Sequence, residues 1–251
     1  MRLLVVTIGS LFVFVVSFTI VKLWGQSQTY PEYRHLMFAV SPQPIEFIKP
    51  KFENVEKDLK EKEFLFLDVV VTGDQKLIVP KRAWKQEEKP IRYSKLEEIK
   101  QDVLVLEDYK DILRSKKIIF NIIENSAAVH ENFVHNMKEL GLEKGENFIV
   151  FSPYEAPIKS LKELAPAYLY GTTQPEILKI LAMNSMYLIE AANIRADFII
   201  HPLQIRKQTF FVDSLVQEFK RRNKKIIVGP IQAAEKEEAV KLNPYGLIIE
   251  E

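Results

Sequence analysis

The chain has 251 residues, with 35 Lys and Arg against 34 Asp and Glu and no cysteine. A charge balance this close to neutral gives no basic footprint for nucleic acid. The lack of cysteine excludes disulfides, Cys-ligated zinc and thiol catalysis.

Residues 3–21 carry no formal charge, and Thr7, Gly9, Ser10, Ser17 and Thr19 are the only breaks in a run of Leu, Val, Ile and Phe. A helix of about 20 apolar residues crosses the hydrocarbon core of a bilayer. Arg2 before the run, with Lys22 and Trp24 after it, suits the two interfaces. A cleaved signal peptide ordinarily has an apolar region of about 7–15 residues and a small-x-small site, which Val21-Lys22-Leu23-Trp24-Gly25 does not offer. Residues 1–24 are therefore read as a single transmembrane anchor. Arg2 and the terminal amine favour an inside amino end, which places the following domain outside the cytoplasm. Residues 25–35 are polar, include Pro31, and read as a tether; residues 36–251 follow as the folded domain.

In that domain β-like runs rich in Val, Ile, Phe or Tyr fall at 37–41, 64–71, 118–123, 148–151, 167–170, 196–201, 226–229 and 246–249. Helical spacing lies between them, as in Phe133, Met137 and Leu140 with Gly141 as the stop. Pro157 and Pro175 suit the first turns of helices. Lys220-Arg221-Arg222-Asn223-Lys224-Lys225 reads as the solvated end of a helix, where cations offset the dipole. Residues 76–109, with Pro80, Pro90 and a dense Lys/Glu mix, read as an insertion after the second strand. Eight strands alternating with helices predict a closed (β/α)8 TIM-type barrel. The competing open doubly wound sheet lacks its Gly-x-Gly-x-x-Gly turn.

Function in such a barrel sits at the carboxyl ends of the strands. The polar residues there are Ser41, Asp68, Asn121, Asn125, Ser152, Tyr154, His201, Gln204 and Glu250. Asp68 lies among Phe66, Leu67, Val69, Val70 and Val71, so its carboxylate needs a partner, a metal or a proton. It is either a metal ligand or a hydrogen-bonded structural acid. His201 precedes Pro202 at a strand end and is either a mouth residue or a capped histidine. His130 and His135 are five apart on a helix and do not share a face. Ser152 lacks the Gly-x-Ser-x-Gly turn of a nucleophilic serine.

The domain resembles the glycerophosphodiester phosphodiesterase family. The match is most specific at Phe66-Leu67-Asp68-Val69-Val70-Val71-Thr72-Gly73-Asp74-Gln75-Lys76-Leu77-Ile78-Val79, which is similar to that family's Glu-x-Asp-Val-x-x-Thr-x-Asp-Gly-x-x-Val-Val segment. Val105-Leu106-Glu107-Asp108 resembles its Thr-Leu-Glu-Glu helix start. Phe148–Phe151 with Ser152, and residues 226–232 and 245–250, occupy the places of later motifs.

The resemblance implies a divalent cation held by carboxylates, two histidines acting as acid and base, and an arginine on the phosphate. Most of these are missing here. The His-Arg-Gly after strand one falls on Val40-Ser41-Pro42, and the Pro-Glu-Asn-Thr segment has no counterpart at 47–50. The Glu of Glu-x-Asp is Phe66, with Asp68 retained. The second histidine falls on Lys81 with Arg82 beside it, and the Glu-x-Lys of strand three falls on Ile123-Glu124-Asn125. One carboxylate of three does not hold calcium or magnesium, so no cofactor is expected, and calcium or magnesium only if the chain is active. The implied protein is a catalytically degenerate barrel on a membrane anchor, acting as a binding or envelope-associated domain. Lys81 and Arg82, with Asn125 and His201, are the candidate contacts for a phosphorylated or lipid-headgroup ligand. An active phosphoric diester hydrolase of lipid metabolism with a rebuilt site is the alternative.

Overall fold

The computed structural model describes residues 2–30, 43–85, 87–126, 129–205 and 208–250. The chain begins with helix α1 (Arg2–Ser27), whose Ser10–Ser27 window is long and apolar enough to cross a membrane and is almost wholly bare of protein contact. The strands are β1 (Ile45–Lys49), β2 (Phe64–Val71), β3 (Leu77–Pro80), β4 (Val103–Val105), β5 (Lys117–Ile122), β6 (Phe148–Phe151), β7 (Leu169–Tyr170), β8 (Phe198–His201), β9 (Gln204–Ile205), β10 (Gln208–Thr209), β11 (Lys225–Ile231) and β12 (Gly246–Glu250). The helices after α1 are α2 (Val55–Glu61), α3 (Leu96–Ile99), α4 (Lys110–Leu113), α5 (Val129–Glu139), α6 (Glu155–Leu164), α7 (Gln174–Ser185), α8 (Asp213–Arg221) and α9 (Lys236–Lys241).

Eight strands pair in parallel in the order β7-β6-β5-β2-β1-β12-β11-β8. A bridge between Gly171 and Phe198 joins the two ends, supported by Thr172 N–H to Phe198 O and Asp197 N–H to Tyr170 O. This is the expected (β/α)8 barrel. The insertion after the second strand forms the antiparallel pair β3 and β4 on the edge of β2, where Val70 opposes Ile78 and Ile78 opposes Val105.

The period-2 pattern of each strand sends alternate side chains inward. The interior holds Phe47, Phe66, Ile119, Ile149, Leu169, Phe198, Ile200, Ile227 and Ile248, all buried. The opposite faces pack under the helices as two further apolar clusters. One runs from Val55 to Tyr170 around Phe120, Phe133 and Phe148, and the other from Ile177 to Leu247 around Phe210, Leu215 and Phe219. Helix α5 illustrates the sequence logic: Val129, Phe133 and Met137 line one face, and the chain leaves the helix at Gly141, whose φ of 71° favours glycine.

The first barrel strand is Ile45–Lys49, and the expected strand 37–41 lies outside the described residues, as do Ser41 and the end of the 25–35 tether. The described start of that tether is docked on the barrel. The Arg221 guanidinium donates to the carbonyls of Gly25, Gln26 and Gln28 at 3.1–3.2 Å, and Asn223 Nδ2 donates to Tyr30 O at 2.9 Å. A Cβ on Gly25 would collide with the backbone of Glu190. The basic run expected to be solvated is therefore a docking block. Arg222, buried, donates to Ile189 O, Glu190 O and Ala192 O, and Glu218 carries both arginines, with Oε1 2.7 Å from Arg221 Nη2 and 2.6 Å from Arg222 Nε.

Candidate functional site

Inward parity fixes the layer at the carboxyl ends of the strands. Two residues beyond Phe47, Phe66, Ile119 and Ile149 stand Lys49, Asp68, Asn121 and Phe151, and two beyond Leu169, Ile227 and Ile248 stand Gly171, Gly229 and Glu250. One half of this mouth is filled. Gly171 has no room for a side chain because Ile200 and Phe151 press on it, and the Phe151 ring lies 6.1 Å from that of Phe66, tilted at 51°.

The other half is polar. Asn121, opposite Asp68 in the parallel register, donates through Nδ2 to Asp68 Oδ1 at 2.6 Å. Lys49 Nζ meets Glu250 Oε1 at 2.9 Å. Burial raises the pKa of Asp68, while Asn121 and Lys49 oppose that and Glu250 adds to it. Above this floor a cleft of about 670 Å³ is lined by Lys49, Pro50, Lys51, Phe52, Glu53, Asp68, Gln232 and Glu250. Two cations, three carboxylates and the exposed ring of Phe52 share it.

The corrected position of strand one moves its motif. The strand end, where the resemblance places the first histidine and the phosphate-binding arginine, is Lys49-Pro50-Lys51, not Val40-Ser41-Pro42. Phe52-Glu53-Asn54-Val55, in the turn leading into α2, then takes the place of the Pro-Glu-Asn-Thr segment. Strand three is corrected too. It ends at Ile122, so Ile123-Glu124-Asn125 lie in the following loop, and the residues level with Phe66 and Asp68 are Ile119 and Asn121. Glu124 pairs with Arg92 at 3.7 Å, and burial raises its pKa against that partner. Asn125 lines a shallow hollow with Trp84, Arg92 and Glu124 on the insertion side.

The remaining sequence candidates stand apart from the cleft. Arg82 is held by Glu88 at 2.8 Å and Asp102 at 3.1 Å and lies over the Trp84 ring. The Lys81 N–H donates to Asp102 O, and its charge is a minor contributor, behind Lys60 and Tyr109, to the lowered pKa of Glu56 on α2. His201 falls on the outward parity of β8. Its ring packs 4.5 Å from Phe210, its Nδ1 meets Pro202 O at 2.8 Å, and burial lowers its pKa. Ser152 is buried and donates to Ile122 O at 2.7 Å, so it is a structural hydroxyl.

The segment that carries the family resemblance has a structural task. Thr72 Oγ1 donates to Asp74 Oδ1 at 2.6 Å and accepts from Lys76 N–H, and Asp74 accepts from Leu96 N–H at 3.1 Å. These bonds turn the chain from β2 into β3 and pin the insertion. Only Asp68 of that segment reaches the cleft.

Among the described residues no group of three His, Cys, Asp or Glu could hold a metal ion. The layer beneath Asp68 is Phe66 and Ile119, and Glu250 is already neutralised by Lys49. A second groove, of about 490 Å³, lies on the outer wall between α6 and α7. There Lys162 donates to Arg195 O, while Glu176 accepts from Arg195 and Ala196 N–H, and no strand end reaches it.

No family model matches the sequence, and no curated protein is similar to it by sequence. Solved structures are similar in fold. The glycerophosphodiester phosphodiesterase from Thermotoga maritima superposes with a TM-score of 0.58 at 16% identity, covering 84% of this chain and 96% of that one. The enzyme from Parabacteroides distasonis gives 0.59 at 14% identity, covering 83% and 93%. An Oleispira antarctica phosphodiesterase in complex with its product sn-glycerol-3-phosphate gives 0.61 at 13%, covering 82% and 93%. The domain has the barrel fold of the glycerophosphodiester phosphodiesterases.

Proposed function

We propose that this protein is a membrane-anchored, non-hydrolytic barrel of the glycerophosphodiester phosphodiesterase type that binds a small phosphorylated polyol at its mouth. The observation that carries the reading is the mouth layer itself. Asp68 is held by an amide, Asn121, and the neighbouring cation Lys49 is paired with Glu250, where hydrolysis would need a metal cage and a histidine pair.

Binding asks for less. Lys49 and Lys51 supply cations for a phosphate at the strand end where the resemblance expects a phosphate ligand. Asp68 and Glu53 can accept hydrogen bonds from hydroxyls, and Phe52 offers an apolar edge. The product held by the Oleispira antarctica neighbour, sn-glycerol-3-phosphate, has this combination of groups and is the ligand to try first. Lys49 and Lys51 replace Lys81 and Arg82 as the proposed phosphate contacts, because the first two line the cleft beside Asp68 and the second two do not, Arg82 being held by Glu88 and Asp102 on the insertion.

Anchoring is supported by the length and bareness of α1 and by its docking. The full-length protein in detergent, titrated calorimetrically with sn-glycerol-3-phosphate, tests the binding. Saturable heat lost in Lys49→Ala/Lys51→Ala supports it, and no heat at millimolar ligand contradicts it.

A further inference from the structure

Helix α7 ends at Ser185, and the chain turns through Met186, Tyr187 and Leu188 before Ile189–Ala191 and β8. From Ile180 to Ile189 there is no charged residue. Met186 is 50% and Tyr187 75% exposed, and Tyr187 takes a φ of 57°, a region that residues other than glycine and asparagine seldom occupy. An uncharged, bare apolar tip of this kind marks an interaction surface.

The same tip lies along α1. Met186 and Leu188 line a groove of about 440 Å³ with Phe14, Ser17, Phe18 and Val21. Counted from Gly25, where α1 meets Glu190, Val21 and Phe14 are about 6 and 16 Å further along the helix. A bilayer that covers those three aromatic and aliphatic residues also covers the side chains packed beside them.

We propose that Met186-Tyr187-Leu188 is a membrane wedge, which enters the same leaflet as α1 and has lipid acyl chains as its partner. The inference rests on the anchor reading above. Its uncharged run is continuous with the apolar surface of α1, and Tyr187, like Trp24, is of the type that settles at the interface. The wedge and the Arg221 docking block hold α1 at two points, which fixes the orientation of the barrel rather than only its distance from the bilayer.

That orientation has a functional consequence. The turns from α7 to β8 and from α8 to β11 both lie at the amino ends of the strands, opposite the mouth. The barrel therefore stands base-down, with Lys49 and Asp68 facing away from the bilayer. Headgroups of the anchoring membrane do not reach the cleft, and the ligand arrives from the aqueous phase.

The natural absence of cysteine allows single nitroxide labels in the full chain. Phe14→Cys, Met186→Cys and Glu237→Cys, the last on the first turn of α9 beyond a strand end, are labelled in phosphatidylcholine nanodiscs. Accessibility is read with oxygen, which partitions into lipid, and with a water-soluble nickel chelate. Labels at 14 and 186 are expected to be open to oxygen and shielded from nickel, and the label at 237 the reverse. A lipid-exposed label at 14 with a nickel-exposed label at 186 overturns the wedge and leaves the anchor standing. Shielding of 186 from both reagents indicates a protein contact and also overturns it. A nickel-exposed label at 14 overturns the anchor and the wedge together.

Discussion

Asn121 donates its amide N–H to Asp68 Oδ1 at 2.6 Å, while its own carbonyl, Oδ1, is buried without a partner. The pair is thus half satisfied, on the floor of the cleft. Polar groups left in this state cost stability, and residues that cost stability collect at functional sites.

Asp68→Asn tests that cost. Burial raises the Asp68 pKa in the folded state, so folding favours the protonated acid. The stability this contributes is complete below the unfolded pKa and is lost as pH rises through the folded one. The variant removes the charge and brings an N–H toward the unpartnered Asn121 oxygen. It is expected to be more stable than the parent at pH 7 by about 1 kcal/mol, the net worth of one hydrogen bond. Melting curves should converge as pH falls toward the ordinary carboxylate range. A variant less stable at pH 7 contradicts this account of the pair.

Phe66→Glu restores the first carboxylate of the family's Glu-x-Asp pair. Phe66 is 1% exposed in the barrel interior, so the change removes a packed ring and buries an acid among Phe47, Ile119 and Phe151. A loss of about 3 kcal/mol or more is expected, measured by urea unfolding, with no gain of metal-dependent hydrolysis. Calcium-dependent turnover in this single variant would show the rest of the cage to be in place.

Arg222→Ala removes a buried guanidinium that joins Glu218 to the Ile189–Ala192 turn on which α1 rests. Breaking a buried pair from one side costs about 3–5 kcal/mol when the remaining charge is left alone; Glu218 keeps Arg221, so a loss at or below the lower end of that range is expected, together with the three carbonyls left without their donor. The prediction is read by denaturation of the full-length protein, and an unchanged midpoint would remove Arg222 from the framework of the base.

Two double variants separate the phosphate contacts. Lys49→Ala/Lys51→Ala is expected to abolish binding of sn-glycerol-3-phosphate, each charge-assisted contact being worth about 1.5–3 kcal/mol. Lys81→Ala/Arg82→Ala is expected to leave the affinity unchanged, since the Arg82 pairs are half exposed and serve the insertion. Calorimetry that shows the opposite ranking returns the site to the insertion side.

The barrel was legible where single strands are greasy enough to announce themselves. Phe64–Val71, Phe148–Phe151 and Gly246–Glu250 fall where the pattern of Val, Ile and Phe places them. Strand one is harder to read, because Met37 to Val40, outside the described residues, is a more apolar run than the strand at Ile45–Lys49. The signal that mattered is subtler: Ile45-Glu46-Phe47-Ile48-Lys49 lies between Pro44 and Pro50, with Ile45, Phe47 and Lys49 on one parity. This hid Lys49, Lys51 and Glu53, although Asp68, Asn121 and Glu250 were visible as polar residues at strand ends. The docking block escaped for another reason. Lys220 to Lys225 has the composition of a solvated helix end, and only the fold brings Gly25 and Ile189 against it.

The most direct test of the central claim is hydrolysis. Purified full-length protein is incubated with a glycerophosphodiester in the presence of calcium or magnesium, and glycerol phosphate release is followed for the parent and Asp68→Asn. The account predicts no metal-dependent release from either, alongside saturable binding of sn-glycerol-3-phosphate by the parent. Metal-dependent turnover that disappears in Asp68→Asn would contradict it and identify the mouth as a working active site.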